Sequence, residues 1–427
     1  MANLSNQPPK GTSDWPPEEF RIRSYIFDTW REVCTRFGYE EYLTPIVESA
    51  EIYRAKSGED VGGKELMFFQ DKAGRELAIR PEMTPSVTRL VSQSYESLPK
   101  PIRYFSIANF FRNEKPQRGR NREFWQLNFD IFGSDSLAAD VEIIQMGIEI
   151  MLKLGANKDQ FVVKINDRNL IEAMVTDLLK IEMEKVSEAT RVLDKFGKLS
   201  NEELTQKLQE LGASPESWDK FFAFLGKDEQ VMQEYYAGVF AQNAGIQRMQ
   251  QVWKTLSELG YSDYFTFAPD MVRGFDYYDG IVFEVFDKNP ENTRSLFGGG
   301  RYNGLAGLFG GQSFPAVGCA PGDETTRLFL ESWGLLDRIP GVDQLERTYI
   351  PILSAGLADL VFKLAQKLRG EGRIVEVGLE EQKLGKALEY ADKKRFSSMI
   401  ILGENEAAAG KYTKKNMQTG TQVEEML

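Results

Sequence analysis

Apolar and polar residues alternate most regularly on the two sides of a basic segment in the first third of the chain. Residues 104–111 form an apolar run, and residues 124–132 alternate between polar and apolar. Aromatic and β-branched residues in this arrangement predict two antiparallel strands joined by a long loop. The loop carries four cations, Lys115, Arg118, Arg120 and Arg122. Fixed polar groups beside a cationic loop suit a phosphate-bearing substrate, although a solvated basic hairpin would show the same pattern.

Helical periodicity marks the segment that precedes this hairpin. Apolar residues recur at helical spacing from Glu18 to Phe37, and Gly38 is expected to end the helix. Residues 39–46 then predict a strand. Because Pro45 cannot donate to a ladder, this strand is expected at a sheet edge or at an interface. The helix and strand either face a second subunit or are ordinary surface elements.

A turn with two prolines follows a short strand that begins at Leu77. It presents Glu82 and Thr84 and leads into a predicted helix. A rigid turn that displays a carboxylate and a hydroxyl would suit the binding of an amine. The alternative is a capped helix start, with Thr84 and Ser86 as the capping residues.

The order of these patterns divides the chain into five parts and predicts an α/β fold class. Residues 1–165 and 263–335 carry the strands of one sheet flanked by helices, and the mostly helical residues 166–262 read as an insertion between them. Residues 336–346 read as a linker. Residues 347–427 alternate strand and helix, which predicts an α/β unit with a parallel or mixed sheet.

Glycines are dense from Gly298 to Gly311, before a helix predicted over residues 323–333. Glycine permits a close approach of the backbone to a ligand. The chain has no GxxxxGK[ST] sequence, which argues against a P-loop nucleotide hydrolase.

Composition narrows the classes of protein. At 427 residues, two or three domains are expected. No apolar run approaches the ~20 residues that span a bilayer, the polar N-terminal segment predicts no secretion signal, and two cysteines fit a reduced cytoplasm. A net charge of −12 argues against nonspecific nucleic-acid binding but allows a local basic patch. Since the chain contains no histidine, Ser-His-Asp and Cys-His catalysis, His-ligated metals and an imidazole base are excluded.

Five motifs together resemble a class II aminoacyl-tRNA synthetase, in particular the histidyl-tRNA synthetase family, over nearly the whole chain. GYEEYLTPI is similar to motif 1, and FRNE with REFWQLNFDIFG to motif 2. RPEMT, VRGFDYYDG and GGGRYNGL are similar to the histidine-specific signatures. The resemblance implies ATP, L-histidine and tRNA(His) as partners, Mg²⁺ at the ATP phosphates, a homodimer through motif 1, and a C-terminal anticodon-binding domain.

The resemblance also implies roles for the matching residues. Arg112 would contact the ATP α-phosphate and the histidine carboxylate, and Arg273 would be a second cation at that phosphate; both are catalytic candidates. The implied ATP-binding residues are Arg112, Glu114, Arg120, Phe124 and Arg327. The implied histidine-binding residues are Glu82, Thr84, Arg112, Gln126, Asp130, Arg273, Tyr277 and Tyr278. No side chain is expected to form a metal site on its own.

The sequence departs from the family in motif 3, where an arginine normally follows Gly, an apolar residue and Glu. Here Thr325 holds that place, and Arg327 lies two residues further on. Positions i and i+2 do not share a helix face, so Arg327 serves only if the helix begins later. The alternatives are a different cation or a catalytically impaired, synthetase-like regulatory or binding subunit. A ligase of another small amine is a third interpretation.

Overall fold

The computed structural model describes residues 5–55, 60–193, 195–196, 199–226, 238, 241–272, 278–310, 313–339 and 345–427. The chain divides into two compact units, Met1–Leu336 and Asp337–Leu427. The five-part division made from the sequence stays a prediction.

The first unit combines strands and helices. Its strands are β1 (Glu40–Glu41), β2 (Val47–Ser49), β3 (Met67–Gln70), β4 (Glu76–Ile79), β5 (Ile102–Phe111), β6 (Glu123–Phe132), β7 (Phe161–Asp167), β8 (Phe265–Phe267), β9 (Ile281–Asp287), β10 (Ser295–Arg301) and β11 (Ala316–Cys319). Its described helices are α1 (Pro17–Arg36), α2 (Ala50–Arg54), α3 (Thr84–Ser92), α4 (Leu137–Lys153), α5 (Arg168–Ala173), α6 (Val186–Leu193), α7 (Asn201–Glu210), α8 (Trp218–Leu225), α9 (Ala244–Glu258) and α10 (Asp323–Ser332).

An eight-stranded sheet forms the centre of this unit, in the order β1-β5-β6-β11-β10-β9-β7-β8. The pairs β1–β5 and β7–β8 are parallel, and the five pairs between them are antiparallel. Helices α1 and α4 pack on the sheet and share its hydrophobic core. The predicted α/β fold class, with one sheet flanked by helices, is confirmed, and the sheet is mixed with mainly antiparallel pairs.

The hairpin predicted from the alternating pattern is also confirmed. Strands β5 and β6 pair antiparallel over ten residues, from Ile102 opposite Phe132 to Phe111 opposite Glu123. Residues 112–122 connect them, as predicted. This connection turns at Gly119, whose positive φ of 75° favours glycine.

The strand predicted over residues 39–46 is shorter than expected. Glu40 and Glu41 pair with β5, and the N–H of Tyr42 donates to the carbonyl of Phe105. Beyond them, the carbonyl of Thr44 accepts a hydrogen bond from Nη1 of Arg80 at 2.9 Å, and Pro45 has no N–H to donate. The carbonyl of Thr44 therefore bonds to a side chain and does not take part in strand pairing.

Glycines 298–300 lie in β10 and not in a loop. A Cβ on Gly299 would overlap the carbonyl oxygen of Gly318, and one on Gly300 would lie 2.7 Å from the carbonyl of Ile281. The close approach that these glycines permit is that of the neighbouring strands.

Helices α5 to α8 build a separate hydrophobic cluster around Leu170, Met174, Phe221 and Phe224. The carboxylate of Asp167, at the end of β7, accepts from the N–H of Asn169 at 2.8 Å and caps α5. The same carboxylate receives two hydrogen bonds from Arg248 of α9, at 2.9 and 2.7 Å. The predicted helical segment therefore begins at an ion pair between the buried Asp167 and the partly exposed Arg248.

The second unit is a five-stranded sheet with helices. Its elements are β12 (Arg347–Ile352), α11 (Ala358–Gly370), β13 (Ile374–Glu381), α12 (Leu384–Lys393), β14 (Ser398–Ile401), α13 (Glu404–Ala408), β15 (Lys411–Asn416) and β16 (Gln422–Met426). The order is β13-β12-β14-β15-β16, parallel up to β14 and antiparallel beyond it. The predicted mixed sheet is thus correct. Among the helices of the described residues, none is both long and apolar enough to cross a membrane.

Candidate active site

A cavity of about 1240 Å³ lies within the first unit. Nine of the twelve side chains predicted from the sequence line it: Glu82, Thr84, Arg112, Glu114, Arg120, Phe124, Gln126, Asp130 and Tyr278. These residues come from the start of α3 and the turn before it, from the hairpin loop, from β6, and from the segment before β9. The fold therefore brings together motifs that are up to ~200 residues apart in sequence. They become neighbours because of the order of the strands and loops in the fold.

Strand β6 supplies one row of this lining because its side chains alternate between two faces. Phe124, Gln126, Asn128 and Asp130 line the cavity, whereas the residues between them belong to the hydrophobic core or pack against it. One strand therefore carries an aromatic ring at one end and a carboxylate at the other.

The aromatic end combines a ring with cations. The Arg112 guanidinium carbon lies 5.0 Å from the ring centroid of Phe124, and Nε of Arg112 donates to the carbonyl of Pro81 at 3.0 Å. Nη1 of Arg120 donates to Oε2 of Glu114 at 3.1 Å. A flat ring beside two guanidinium groups can take a base by stacking and phosphates by charge.

The carboxylate end is almost fully buried. The hydroxyl of Tyr302 donates to Oδ1 of Asp130 at 2.6 Å, and burial raises the pKa of Asp130 to about 7. Within the described part of the chain, nothing donates to Oδ2 of Asp130. Glu82, only 4 % exposed, adds a second buried carboxylate to the same cavity. Two buried acceptors suit a ligand with more than one N–H donor.

Asp130 lies directly over the backbone of β11. A Cβ added at Gly318 would overlap Oδ1 of Asp130, and it would also lie 3.1 Å from the carbonyl oxygen of Phe129. The absence of a side chain at residue 318 therefore makes room for the carboxylate.

The position of Arg327 differs from the sequence prediction. Helix α10 begins at Asp323, with Gly322 as its N-cap, in agreement with the helix predicted over residues 323–333, so the later start that Arg327 would need is not observed. Arg327 donates to Glu324 at 2.9 Å and to Glu331 at 3.2 Å. The described residues that line the cavity include Thr325 but not Arg327.

Two other predicted residues, Arg273 and Tyr277, lie outside the described residues. Their predicted roles stay predictions.

Sequence reasoning missed some lining residues. Tyr302 belongs to the GGGRYNGL sequence but was not assigned a contact; its signal was its place directly after the glycine strand. Helix α6 contributes Ser187, Thr190 and Arg191, at helical spacing, to the cavity. Helix α6 lies about 60 residues after the hairpin in the sequence, and no local pattern in the sequence reveals that the two line the same cavity.

The sheet, the cationic hairpin and the cavity together are those of a class II aminoacyl-tRNA synthetase, an aminoacyl-tRNA ligase. The family model for histidyl-tRNA synthetase matches residues 11–322, and that for the anticodon binding domain matches residues 348–426. The chain belongs to the histidyl-tRNA synthetase family.

Curated relatives agree over nearly the full length. The chain is 38% identical to the histidine--tRNA ligase of Leptospira biflexa over 98% of its own length and 95% of the relative. It is 36% identical to that of Pyrococcus furiosus, with 97% and 95% covered. Its fold is similar to the histidyl-tRNA synthetase structure from Nostoc sp. PCC 7120, with a TM-score of 0.79, 24% identity, and 99% and 97% of the two chains covered.

Proposed function

We propose that this protein activates L-histidine with ATP to histidyl-adenylate and transfers the histidyl group to tRNA(His). The observation that carries the proposal is the single cavity that holds both sets of groups. An aromatic ring with a guanidinium group lies at one end of β6 and a buried carboxyl group with a tyrosine hydroxyl lies at the other, and Arg120 and Glu82 line the same cavity.

The chemistry requires positioning and charge neutralisation more than a base. The carboxylate of the amino acid attacks the α-phosphorus of ATP and displaces pyrophosphate, so no proton has to be removed from the nucleophile. Arg112 lines the cavity and, in this proposal, neutralises both anions, since an arginine can bind a carboxylate or a phosphate with two N–H groups. A chain without histidine loses nothing in this mechanism.

The histidine side chain is read at the buried end. The substrate's ammonium group and imidazole N–H are donors, and Glu82 and Asp130 are the acceptors. Tyr302 holds one oxygen of Asp130 and leaves the other for the ligand. Phe124 stacks on adenine, and Glu114 and Arg120 lie at the same end. Thr84, Gln126 and Tyr278 complete the histidine-binding set, with Arg273 and Tyr277.

Magnesium enters this scheme with ATP. The carboxylates of Glu284 and Glu324 line the cavity, and the described residues contain no cluster of three or more metal-ligating side chains. Mg²⁺ commonly uses one or two carboxylates plus substrate phosphates. Glu284 fits that pattern, whereas both oxygens of Glu324 accept hydrogen bonds from Arg23 and Arg327. The ion would supply charge neutralisation at the phosphates.

Partners and location complete the proposal. Leu43 and Ile46, beside β1, and Phe20 of α1 are large apolar side chains with 69 %, 42 % and 45 % of their surface exposed. Exposed apolar side chains on motif 1 and on its preceding helix support a homodimer, which light scattering tests. The second unit binds the anticodon of tRNA(His), and the protein acts in the cytoplasm. We propose that the five ranges defined from the sequence are the domains and connections of this protein.

Histidine-dependent exchange of pyrophosphate into ATP tests the activity. Wild-type protein should exchange, Arg112→Ala should not, and Arg103→Lys serves as a control on the same hairpin because Arg103 pairs with Glu142. Exchange with a different amino acid alone would indicate another ligase. No exchange with any amino acid would indicate a regulatory subunit, which the names of the relatives do not favour.

A further inference from the structure

Helix α10 meets the cavity with acidic and neutral groups. The residues it contributes to the lining are Asp323, Glu324 and Thr325, and the guanidinium of Arg327 is held by Glu324 and Glu331. A polyphosphate that reaches this end of the cavity therefore needs a cation from another segment of the chain.

Two other segments contact this helix at Thr325. The hydroxyl of Thr325 donates to the carbonyl of Leu296 at 2.7 Å. A Cβ placed on Gly119, in the hairpin loop, would lie 4.0 Å from Cγ2 of Thr325 and 3.5 Å from Cδ1 of Leu328. Gly119 and Leu296 both line the cavity.

Each of these segments carries an arginine close to its contact with α10. Arg120 follows Gly119 and lines the cavity. Arg294 precedes the lining residue Ser295, and its Nη2 donates to Oε1 of Gln117 at 2.9 Å. The exposed Arg294 thus contacts the same loop that carries Arg120, and Leu296, two residues further along the chain, contacts Thr325.

We propose that Arg294, with Arg120, binds the terminal phosphates of ATP and supplies the cation that α10 does not present to the cavity. The inference rests on the proposed function, since it assumes that ATP occupies the cavity. On binding, the Arg294 side chain exchanges the amide of Gln117 for a phosphate oxygen. That exchange is favourable because a hydrogen bond between two ionised groups is stronger than one to a neutral amide.

Nucleotide affinity in the absence of turnover tests the inference. Calorimetric titration with ATP and with AMP should separate the terminal phosphates from the base, ribose and α-phosphate. Arg294→Ala should weaken ATP binding about tenfold or more and change AMP binding less than twofold. Arg294→Lys, which keeps the charge, should recover most of the loss. Lys288→Ala removes a cation from the same connection between β9 and β10 and should leave both affinities unchanged.

A purely structural role for Arg294 is tested with Gln117→Ala. That variant breaks the Arg294–Gln117 hydrogen bond but keeps the cation, so ATP binding should stay within twofold of wild type. An equal loss in Gln117→Ala and Arg294→Ala, or an unchanged ATP affinity in Arg294→Ala, would overturn the inference and leave the proposed function standing. Wild-type protein that binds neither nucleotide would overturn both.

Discussion

Nε of Arg23 lies 2.9 Å from Oδ2 of Asp323, and both side chains are almost completely buried. The other oxygen of Asp323 accepts from the main-chain N–H of Trp125 at 3.0 Å. One carboxylate thus connects α1, the hairpin strand β6 and the first residue of α10. Burial lowers the pKa of Arg23 and raises the pKa of Asp323 to about 6, although each partner's charge opposes the shift.

Removing Arg23 should therefore be costly. Arg23→Met leaves Asp323 buried without its counter-ion, and the free energy of unfolding should fall by about 3–5 kcal/mol. Urea denaturation measures the loss. Arg31→Met is the matched control in the same helix, because Arg31 forms exposed ion pairs with Glu41 and Asp28 and should cost less than about 1 kcal/mol. Equal losses in the two variants would contradict this role of the buried pair.

The buried carboxyl of Asp130 predicts a pH dependence of stability. Burial raises its pKa from 3.8 to about 7, so between these values the folded protein retains a proton that the unfolded chain has released. The free energy of unfolding should therefore fall as pH rises from about 4 to 7, by up to roughly 4 kcal/mol. Asp130→Asn should lose this component, and its stability relative to wild type should increase with pH. If the difference in free energy of unfolding between Asp130→Asn and wild type were the same at pH 5 and pH 8, the assignment would be contradicted.

Tyr302 should affect histidine and not ATP. Tyr302→Phe removes the donor to Oδ1 of Asp130, and the KM for histidine in pyrophosphate exchange should rise about tenfold. The KM for ATP should stay within twofold. Tyr412→Phe, which removes a tyrosine bonded to Glu425 in the second unit, is the control and should leave both values unchanged. A larger change in the KM for ATP would place Tyr302 elsewhere in the mechanism.

Phe124 should show the opposite selectivity. Phe124→Ala removes the ring beside Arg112, and because stacking of a base contributes about 1–3 kcal/mol, the KM for ATP should rise at least about fivefold. Phe124→Tyr keeps a flat ring and should retain most of the affinity. If alanine and tyrosine give the same KM for ATP, adenine does not stack at this position.

Most of the architecture near the site follows from local patterns. Strand alternation predicts β5 and β6, and a helical stripe predicts α1, because each pattern records which face is buried. The strands β15 and β16 were not predicted, since the lysines and glutamates along them resemble a solvated surface. Charged residues on both faces of these strands hide the two-residue alternation of a strand, and only the pairing of β15 with β16 reveals it.

The candidate site was less predictable than the fold. The contribution of α6 and the contact of Arg294 with Gln117 depend on distant segments that fold together. The first residue of α10, Asp323, agrees with the helix predicted over residues 323–333. Its position decides that Thr325, rather than Arg327, lines the cavity.

Because β6 places Phe124 and Asp130 on the same side, the strand fixes the distance between the binding positions of the two substrates. Six residues of extended chain span about 20 Å, and the backbone, not any flexible side chain, holds that length constant. A point substitution changes one side chain and leaves this spacing unchanged. One extra residue between Phe124 and Asp130 would reverse the facing of everything beyond it, so deletions and insertions here should be far less tolerable than replacements.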